Sequence, residues 1–317
     1  MWEFDGLLEA IETAETITLF RHARPDCDAV GSQFGLKQWI EENWPEKRVY
    51  ALGYDYCSQG NCWSYSDTVS LEVIRDSTAI VLDTANTDRI DDIRCLQARK
   101  LVKIDHHPDH TPYGDLSLVF VYSAATCEIL GEFFRRQTDK TMSLTTAEYL
   151  FRGILTDTLS FRTNNTTEHT LAIAGWLAGF GVRIPEINRE LFDKSLKDYR
   201  FGSMMRNTVQ FAAGNHMAYR IVSDEEMKEW GLTISDVKNF VEEYGRVQEI
   251  ELYAVFCENT STDPVTYEGS LRSHTIPINL IAEQFNGGGH VNACGVRGLP
   301  KEKLEELIQV LASTIHN

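Results

Sequence analysis

Thr16-Ile-Thr-Leu-Phe20-Arg-His22-Ala-Arg-Pro25-Asp26-Cys-Asp28-Ala-Val-Gly31-Ser32 is the stretch on which the fold turns. A β-rich apolar run, Thr16 to Phe20, delivers a histidine at its end, and an amphipathic helical pattern, Val30 to Trp44, follows. Asp26 and Asp28 are two apart, so in extended backbone both carboxylates face one side. Pro25 disfavours helix for the residue before it and keeps the segment extended. One imidazole and two carboxylates turned one way suit Mn²⁺, Mg²⁺ or Zn²⁺. A loop with N-capping aspartates would use the same residues, and this segment alone does not separate the two.

The pattern recurs downstream. Asp83 ends the run Ala79-Ile-Val-Leu82, and Asp105-His106-His107 ends Leu101-Val-Lys-Ile104. Leu118 to Tyr122 is a further strand pattern. Strands alternating with helices imply an α/β domain with a mostly parallel sheet flanked by helices. In such sheets ligands collect at the carboxyl ends of the strands, so three strands deliver His and Asp to one edge. Asp157, in Gly153-Ile-Leu-Thr-Asp157-Thr158, follows an apolar helical stretch and can reach that edge from above. His22, Asp26, Asp28, Asp83, His106 and Asp157 are too many ligands for one four-coordinate ion with an open position. They suit two ions that share a carboxylate. Two-metal sites lower the pKa of bound water and clamp the entering and leaving oxygens of a phosphoryl displacement.

From Ala124 to about Leu196 the pattern is helical, with Thr166 or Thr167 as an N-cap. A second αβ pattern begins after it: strands near Met217–Val222 and Glu251–Phe256, a helix over Ile234–Tyr244, a segment around Tyr267–Arg272, a short helix to Phe285 and a last helix over Lys301–Ile315. The expected organisation is a metal-binding domain over residues 1–195, a connecting helix over 196–210 and a smaller α/β domain over 211–317. The active-site cleft is expected between the two domains. Ser223-Asp-Glu-Glu226 reads as a capped helix start, and His169 and His216 as ordinary histidines.

Composition narrows the substrate. The 317 residues carry a formal net charge of −17, with 43% hydrophobic and 24% charged residues. Proteins that grip duplex DNA carry a basic stripe, and none is found, which points to small substrates whose charge is met locally. The start, Met1-Trp2-Glu3-Phe4-Asp5, lacks the order of a signal peptide. The longest apolar run, Leu171 to Val182, is 12 residues, short of the roughly 20 a membrane span needs. Seven cysteines without CxxC spacing, Cys57 and Cys62 the closest pair, read as reduced thiols, so a cytoplasmic protein is expected. Membrane partners are not expected, and homodimer formation stays open.

These residues resemble the DHH phosphoesterases. Asp105-His106-His107 looks like the motif that names the family, His22-x-x-x-Asp26-x-Asp28-Ala-x-Gly-Ser its first motif, and Asp83 and Asp157 its second and fourth. The resemblance implies that His22 and Asp26 bind one metal, that Asp28, His106 and Asp157 bind the other, and that Asp83 bridges them. It makes His107, with Asp105, catalytic, His107 facing the scissile phosphate as electrophile or proton donor. Cys27 stands where many members carry Gly. Gly269-Ser-Leu-Arg272-Ser273 and Gly287-Gly288-Gly289-His290-Val-Asn-Ala-Cys-Gly295 resemble the substrate-binding motifs of the DHH-associated domain. Asn286 and Cys294 replace the Gly and Ala common there. Glycines let backbone N–H groups approach an anion, and Arg272 can grip a phosphate bidentately. Asp157-Thr158-x-x-Phe161-x-x-Asn164-Asn165-Thr166-Thr167 resembles the oligoribonuclease and pAp-phosphatase branch. That branch implies two divalent ions, foremost Mn²⁺. It implies as substrates short RNA or DNA oligonucleotides, pApA-like dinucleotides or 3′-phosphoadenosine 5′-phosphate.

Two rivals would share the metal set: a pyrophosphatase or polyphosphatase of the same superfamily, whose second domain would be richer in Lys and Arg and lack Gly-Gly-Gly-His, and a metal-dependent nucleotide-binding protein without catalysis. A serine hydrolase finds no Gly-x-Ser-x-Gly elbow. A thiolate at Cys27 is disfavoured by the neighbouring carboxylates.

Overall fold

A computed structural model describes residues 4–54 and 66–315 and divides the chain into two units, Met1–Asp193 and Lys194–Asn317. Cys57 and Cys62 lie outside the described residues. In the first unit the order is α1 (Leu7–Thr13), β1 (Thr16–Phe20), α2 (Cys27–Asn43), β2 (Arg48–Ala51), α3 (Leu71–Arg75), β3 (Thr78–Leu82), β4 (Lys100–Asp105), β5 (Leu116–Val119), α4 (Thr126–Arg136), α5 (Leu144–Asp157), α6 (Glu168–Ala178) and α7 (Ile184–Phe192). The strands pair in the order β2-β1-β3-β4-β5, all parallel. Every residue of β1 and β3 is buried, which is why these strands read as continuous apolar runs and not as alternating ones.

Successive side chains feed two cores. Ile17, Leu19, Ile80, Leu82, Val102 and Ile104 pack with Trp39, Phe133 and Leu150, while Phe20, Ala79 and Val81 pack with Ile74 and Cys95. On the larger face, α2 lies close to α5. A Cβ added at Gly31 would sit 2.6 Å from the Tyr149 carbonyl oxygen, and one at Gly35 would sit 2.8 Å from Leu150 Cδ2. Those two glycines set the approach. Thr167 caps α6 in a reciprocal capping box with Thr170, as its sequence position suggested. The strand expected to run through Tyr122 stops at Val119, and Tyr122 is exposed.

The second unit holds α8 (Leu196–Asn207), β6 (Gln210–Ala212), β7 (Met217–Val222), α9 (Asp224–Trp230), α10 (Ile234–Lys238), β8 (Leu252–Asn259), β9 (Thr266–Ser273), α11 (Asn279–Gln284), β10 (Gly287–His290), β11 (Ala293–Leu299) and α12 (Lys301–Ser313). Its sheet runs β10-β11-β9-β8-β7-β6, with β7 and β8 parallel and the other pairs antiparallel. Residues 196–210, expected as a connection, form α8 and β6. Phe201 and Met205 of α8 are buried with Val237, Tyr244 and Tyr253. The helix expected over Ile234–Tyr244 tightens after Lys238 into a 3₁₀ turn, Asn239–Glu243. Leu304, Leu307 and Leu311 of α12 pack on the other face of the sheet, against Ala254, Phe256 and Leu271. No helix among the described residues is long and apolar enough to cross a membrane.

Candidate metal centre

In the order 2-1-3-4-5 the strand sequence reverses between β1 and β3, and the crevice at that switch point is where open α/β sheets take ligands. His22 follows β1 closely, Asp83 directly follows β3, and Asp105 is the last residue of β4. Asp83 adopts φ +52°, in the left-handed region. Aspartate tolerates that region better than most side chains, at a cost in strain. The turn is held by the Asp83 N–H donating to the Ile104 carbonyl at 2.9 Å.

Asp83, 2% exposed, presents one oxygen to each of two histidines. Its Oδ2 lies 3.4 Å from His22 Nε2, and its Oδ1 lies 3.4 Å from His106 Nε2. Both imidazoles turn their other nitrogen to a backbone carbonyl: His22 Nδ1 stands 2.9 Å from Ala23 O, and His106 Nδ1 stands 3.3 Å from Ser123 O. A carbonyl can only accept, so each Nδ1 carries a hydrogen and each Nε2 is the nitrogen turned toward the carboxylates. That is the orientation metal-binding imidazoles adopt. Asp157, at the end of α5, brings Oδ2 to 3.4 Å from His106 Nε2.

The first motif differs from the extended reading. Arg24, before Pro25, escapes the forbidden helical region into φ +54°, so the chain turns instead of running straight. Asp26 is the N-cap of α2. Its Oδ1 accepts from the Asp28 and Ala29 N–H groups at 3.0 Å each, while its Oδ2 stands 3.7 Å from His22 Nε2. One oxygen caps the helix, and the other is left facing His22. Asp28 lies in the first turn of α2, fully buried. Its carboxylate accepts from the Thr126 and Cys127 N–H groups at 2.6 and 2.8 Å, where the N-terminus of α4 favours negative charge. Its Oδ2 is 4.0 Å from His106 Nε2.

Three groups of ligand atoms therefore lie within 4.8 Å of one another: His22 with Asp26 and Asp83, Asp28 with His106 and Asp157, and Asp83 with His106 and His107. The charge balance of the cluster asks for cations. Burial works against an imidazolium at His22, but hydrogen bonds to Asp26 and Asp83 outweigh it and push its pKa up to about 11. His106 is likewise raised against burial, chiefly by Asp83. Burial, then the Asp83 charge, lifts Asp28 to about 7, and burial with Asp28 lifts Asp157 well above the carboxylate range. Asp83 is held low despite its burial by the two histidines. Carboxylates this crowded retain protons unless positive charge arrives, and a divalent ion inverts that balance. The donor set of two imidazoles and four carboxylates fits such an ion.

Asp105 faces a different partner. Its Oδ1 accepts from the His107 N–H at 3.2 Å and lies 2.8 Å from His107 Nδ1, which is also 3.5 Å from Asp83 Oδ1. Its Oδ2 lies 3.4 Å from the ammonium of Lys103, a fully buried side chain that the sequence reading passed over. Thr126 was also missed; its hydroxyl donates to Asp83 Oδ1 at 3.2 Å. The visible signal for Lys103 was a charge inside an apolar strand. Thr126 had none, since its helix start carries no side-chain cap of its own.

In the second unit Arg272 is engaged by Glu242, Nε to Oε1 at 3.1 Å, and donates from Nη1 to the Leu271 carbonyl at 2.9 Å. Ser273 turns inward: its hydroxyl donates to the Ile276 carbonyl and accepts from Asn292 Nδ2 at 2.8 Å. The triple glycine forms β10, not a loose loop. A Cβ at Gly287 would meet Gly295 O at 2.3 Å and one at Gly289 would meet Ala293 O at 2.4 Å, whereas Gly288 faces open space. Close strand packing accounts for Gly287 and Gly289. A Cβ at Gly288 would meet nothing within 4 Å, and His290 is exposed.

Residues 16–154 match the N-terminal domain of the DHH family, and residues 214–317 match the DHHA1 domain. The chain belongs to the DHH family. It is 34% identical to the bifunctional oligoribonuclease and PAP phosphatase NrnA of Bacillus subtilis, over 91% of each chain. It is 33% identical to the probable enzyme of the same name from Streptococcus mutans, over 99% of this chain and 100% of that one. In fold it is similar to an exopolyphosphatase-related protein from Bacteroides fragilis, with a TM-score of 0.86 at 23% identity, covering 98% of this chain and 94% of the other.

Proposed function

We propose that this chain is a metal-dependent phosphoesterase that hydrolyses short oligonucleotides and 3′-phosphoadenosine 5′-phosphate with two divalent ions, foremost Mn²⁺. The observation that carries the reading is Asp83, whose two oxygens face two different histidines at 3.4 Å each. His22, Asp26 and Asp83 would hold one ion; Asp28, His106 and Asp157, with Asp83, would hold the other. When bound, such ions supply Lewis acidity toward the phosphate oxygens and lower the pKa of water to near neutrality.

The chain's own residues do the rest. Asp105 accepts from His107 Nδ1–H and so turns Nε2 outward, where the ring, with both nitrogens protonated, would donate to the departing sugar oxygen. Arg272 exchanges Glu242 for the substrate's terminal phosphate, with His290 and the backbone at Gly288 beside it. Ser273 acts by holding that segment, not by touching substrate. A net charge of −17 disfavours long polyanions and leaves short ones as substrates. Five free, buried cysteines among the described residues agree with a cytoplasmic setting.

The test is turnover of 3′-phosphoadenosine 5′-phosphate, pApA, RNA of graded length and pyrophosphate with Mn²⁺, before and after EDTA. Hydrolysis of the first two and of the shortest RNAs, abolished by EDTA, is expected. Preference for pyrophosphate, or tight nucleotide binding without turnover, would each replace the reading. Arg272→Ala is expected to raise KM about 10- to 100-fold, the worth of one charged hydrogen-bonded contact, with kcat little changed. Loss confined to kcat would remove Arg272 from ground-state binding.

A further inference from the structure

Lys103 sits in the middle of β4 with no exposed surface. Its Nζ donates to the Ala85 carbonyl at 2.9 Å and to Asp109 Oδ1 at 3.0 Å, and it lies 4.7 Å from the centre of the Tyr113 ring. The Tyr113 hydroxyl in turn donates to the Thr84 carbonyl at 2.7 Å. One buried ammonium therefore ties the segment after Asp83 to the segment after His107. Such a side chain is expensive to bury and is kept only where it is paired.

Its fourth neighbour is the one with chemical consequence. Asp105 Oδ2 is buried and has no hydrogen-bond partner, and what compensates it is the ammonium at 3.4 Å. Lys103 and Asp105 are two apart on a strand and so share a face. With Oδ2 fixed toward Lys103, Oδ1 is left aimed at His107 Nδ1. We propose that Lys103 is a positioning residue for the leaving-group step: through Asp105 it holds the His107 ring so that Nε2 meets the departing oxygen. The inference rests on the phosphoesterase reading above. Hydrolysis forms one P–O bond from water and breaks the P–O bond to the nucleoside. The entering water gives one proton to solvent, and the departing oxygen takes one from His107 Nε2, which solvent then restores. Without the ammonium only the His107 N–H still holds the carboxylate, and Oδ1 is less firmly directed at Nδ1.

The experiment compares Lys103→Met with wild type at saturating Mn²⁺ on two diesters of adenylate. In pApA the leaving group is a sugar hydroxyl that needs a proton; in the p-nitrophenyl ester it is a nitrophenolate that does not. Expected is a fall in kcat of about 10²-fold on pApA, the usual worth of a placed acid, with KM and Mn²⁺ affinity unchanged. The nitrophenyl ester should be cleaved within about threefold of the wild-type rate, since it bypasses that same acid. Asp105→Asn should lower kcat on pApA at least as far, and the double variant should be no worse than the poorer single one, since the two act as a unit. If Lys103→Met does not fold, Lys103→Gln and Asp109→Asn decide the matter by the same split.

A second readout does not depend on turnover. The Nδ1–H proton resonance of His107, identified by its loss in His107→Gln, should be present in the metal-free wild type and shifted or exchanged away in Lys103→Met. Equal losses on both substrates, or an undisturbed resonance, would overturn the role. If wild type cleaves neither ester, the phosphoesterase reading fails by itself, while the resonance still judges the clamp.

Discussion

Asp83→Ala is expected to lower kcat on every substrate by more than about 10³-fold, beyond what removal of a single stabilising donor costs. It should weaken Mn²⁺ at both positions together. The reason is geometric. Asp83 Oδ2 stands 3.4 Å from His22 and Oδ1 stands 3.4 Å from His106, so one truncation takes an oxygen from each group. Asp26→Ala and Asp157→Ala each touch one group and should weaken one ion more than the other. Asp83 is buried, its left-handed backbone is a local cost, and removing its charge eases the crowding on Asp28 and Asp157. Thermal stability of the metal-free protein should therefore change far less than activity. Titration of Mn²⁺ by isothermal calorimetry checks this, and loss at only one position would separate Asp83 from the bridging role.

Gly153→Ala should be nearly as damaging, although Gly153 donates nothing to the site. On helix propensity alone the change is favourable by about 1 kcal/mol. Sterics reverse the sign. The new Cβ would lie 2.3 Å from Cys127 Sγ and 2.8 Å from Asp28 Oδ1, both fully buried. Cys127 can yield only by breaking its thiol bond to the Asp28 carbonyl at 3.5 Å, and the Cβ still presses on Asp28 Oδ1, which the Cys127 N–H holds at 2.8 Å. Overpacking of this kind costs about 1–3 kcal/mol, a fall of roughly 2–4 °C in Tm for each kcal/mol in a unit of this size. Activity should drop further than stability, since Asp28 is displaced from His106. Adding Cys127→Ala opens the space and should restore most of the Mn²⁺ affinity. A Gly153→Ala protein with wild-type Tm and metal affinity would contradict the packing account.

The sheet and the convergence of its strand ends were legible because both are local. β1 and β3 are short β-branched runs buried on both faces, and each is followed by a His or Asp within two residues. The capping box at Ser223 and Glu226 was equally local, and α9 begins there. What the sequence hid depends on partners far along the chain. Asp28 was read as extended because its spacing from Asp26 suits a strand, yet it begins a helix and caps another helix 98 residues away. The glycines of Gly287–Gly289 suggested a phosphate-binding loop. Two of them are required instead by a neighbouring strand, β11, whose approach no spacing rule reports. Glu242, which engages Arg272, comes from a 3₁₀ turn expected as plain helix. Lys103 shows the general case: a charge in an apolar strand is visible, but its partners Ala85, Asp105 and Asp109 appear only once the loops are folded over it.

Anomalous diffraction from crystals soaked in MnCl₂ bears most directly on the whole account. Two manganese peaks are predicted in the first unit, one beside His22 and Asp26 and one beside His106, Asp28 and Asp157, with Asp83 touching both. A single peak that leaves either histidine without metal, or peaks away from Asp83, would contradict it.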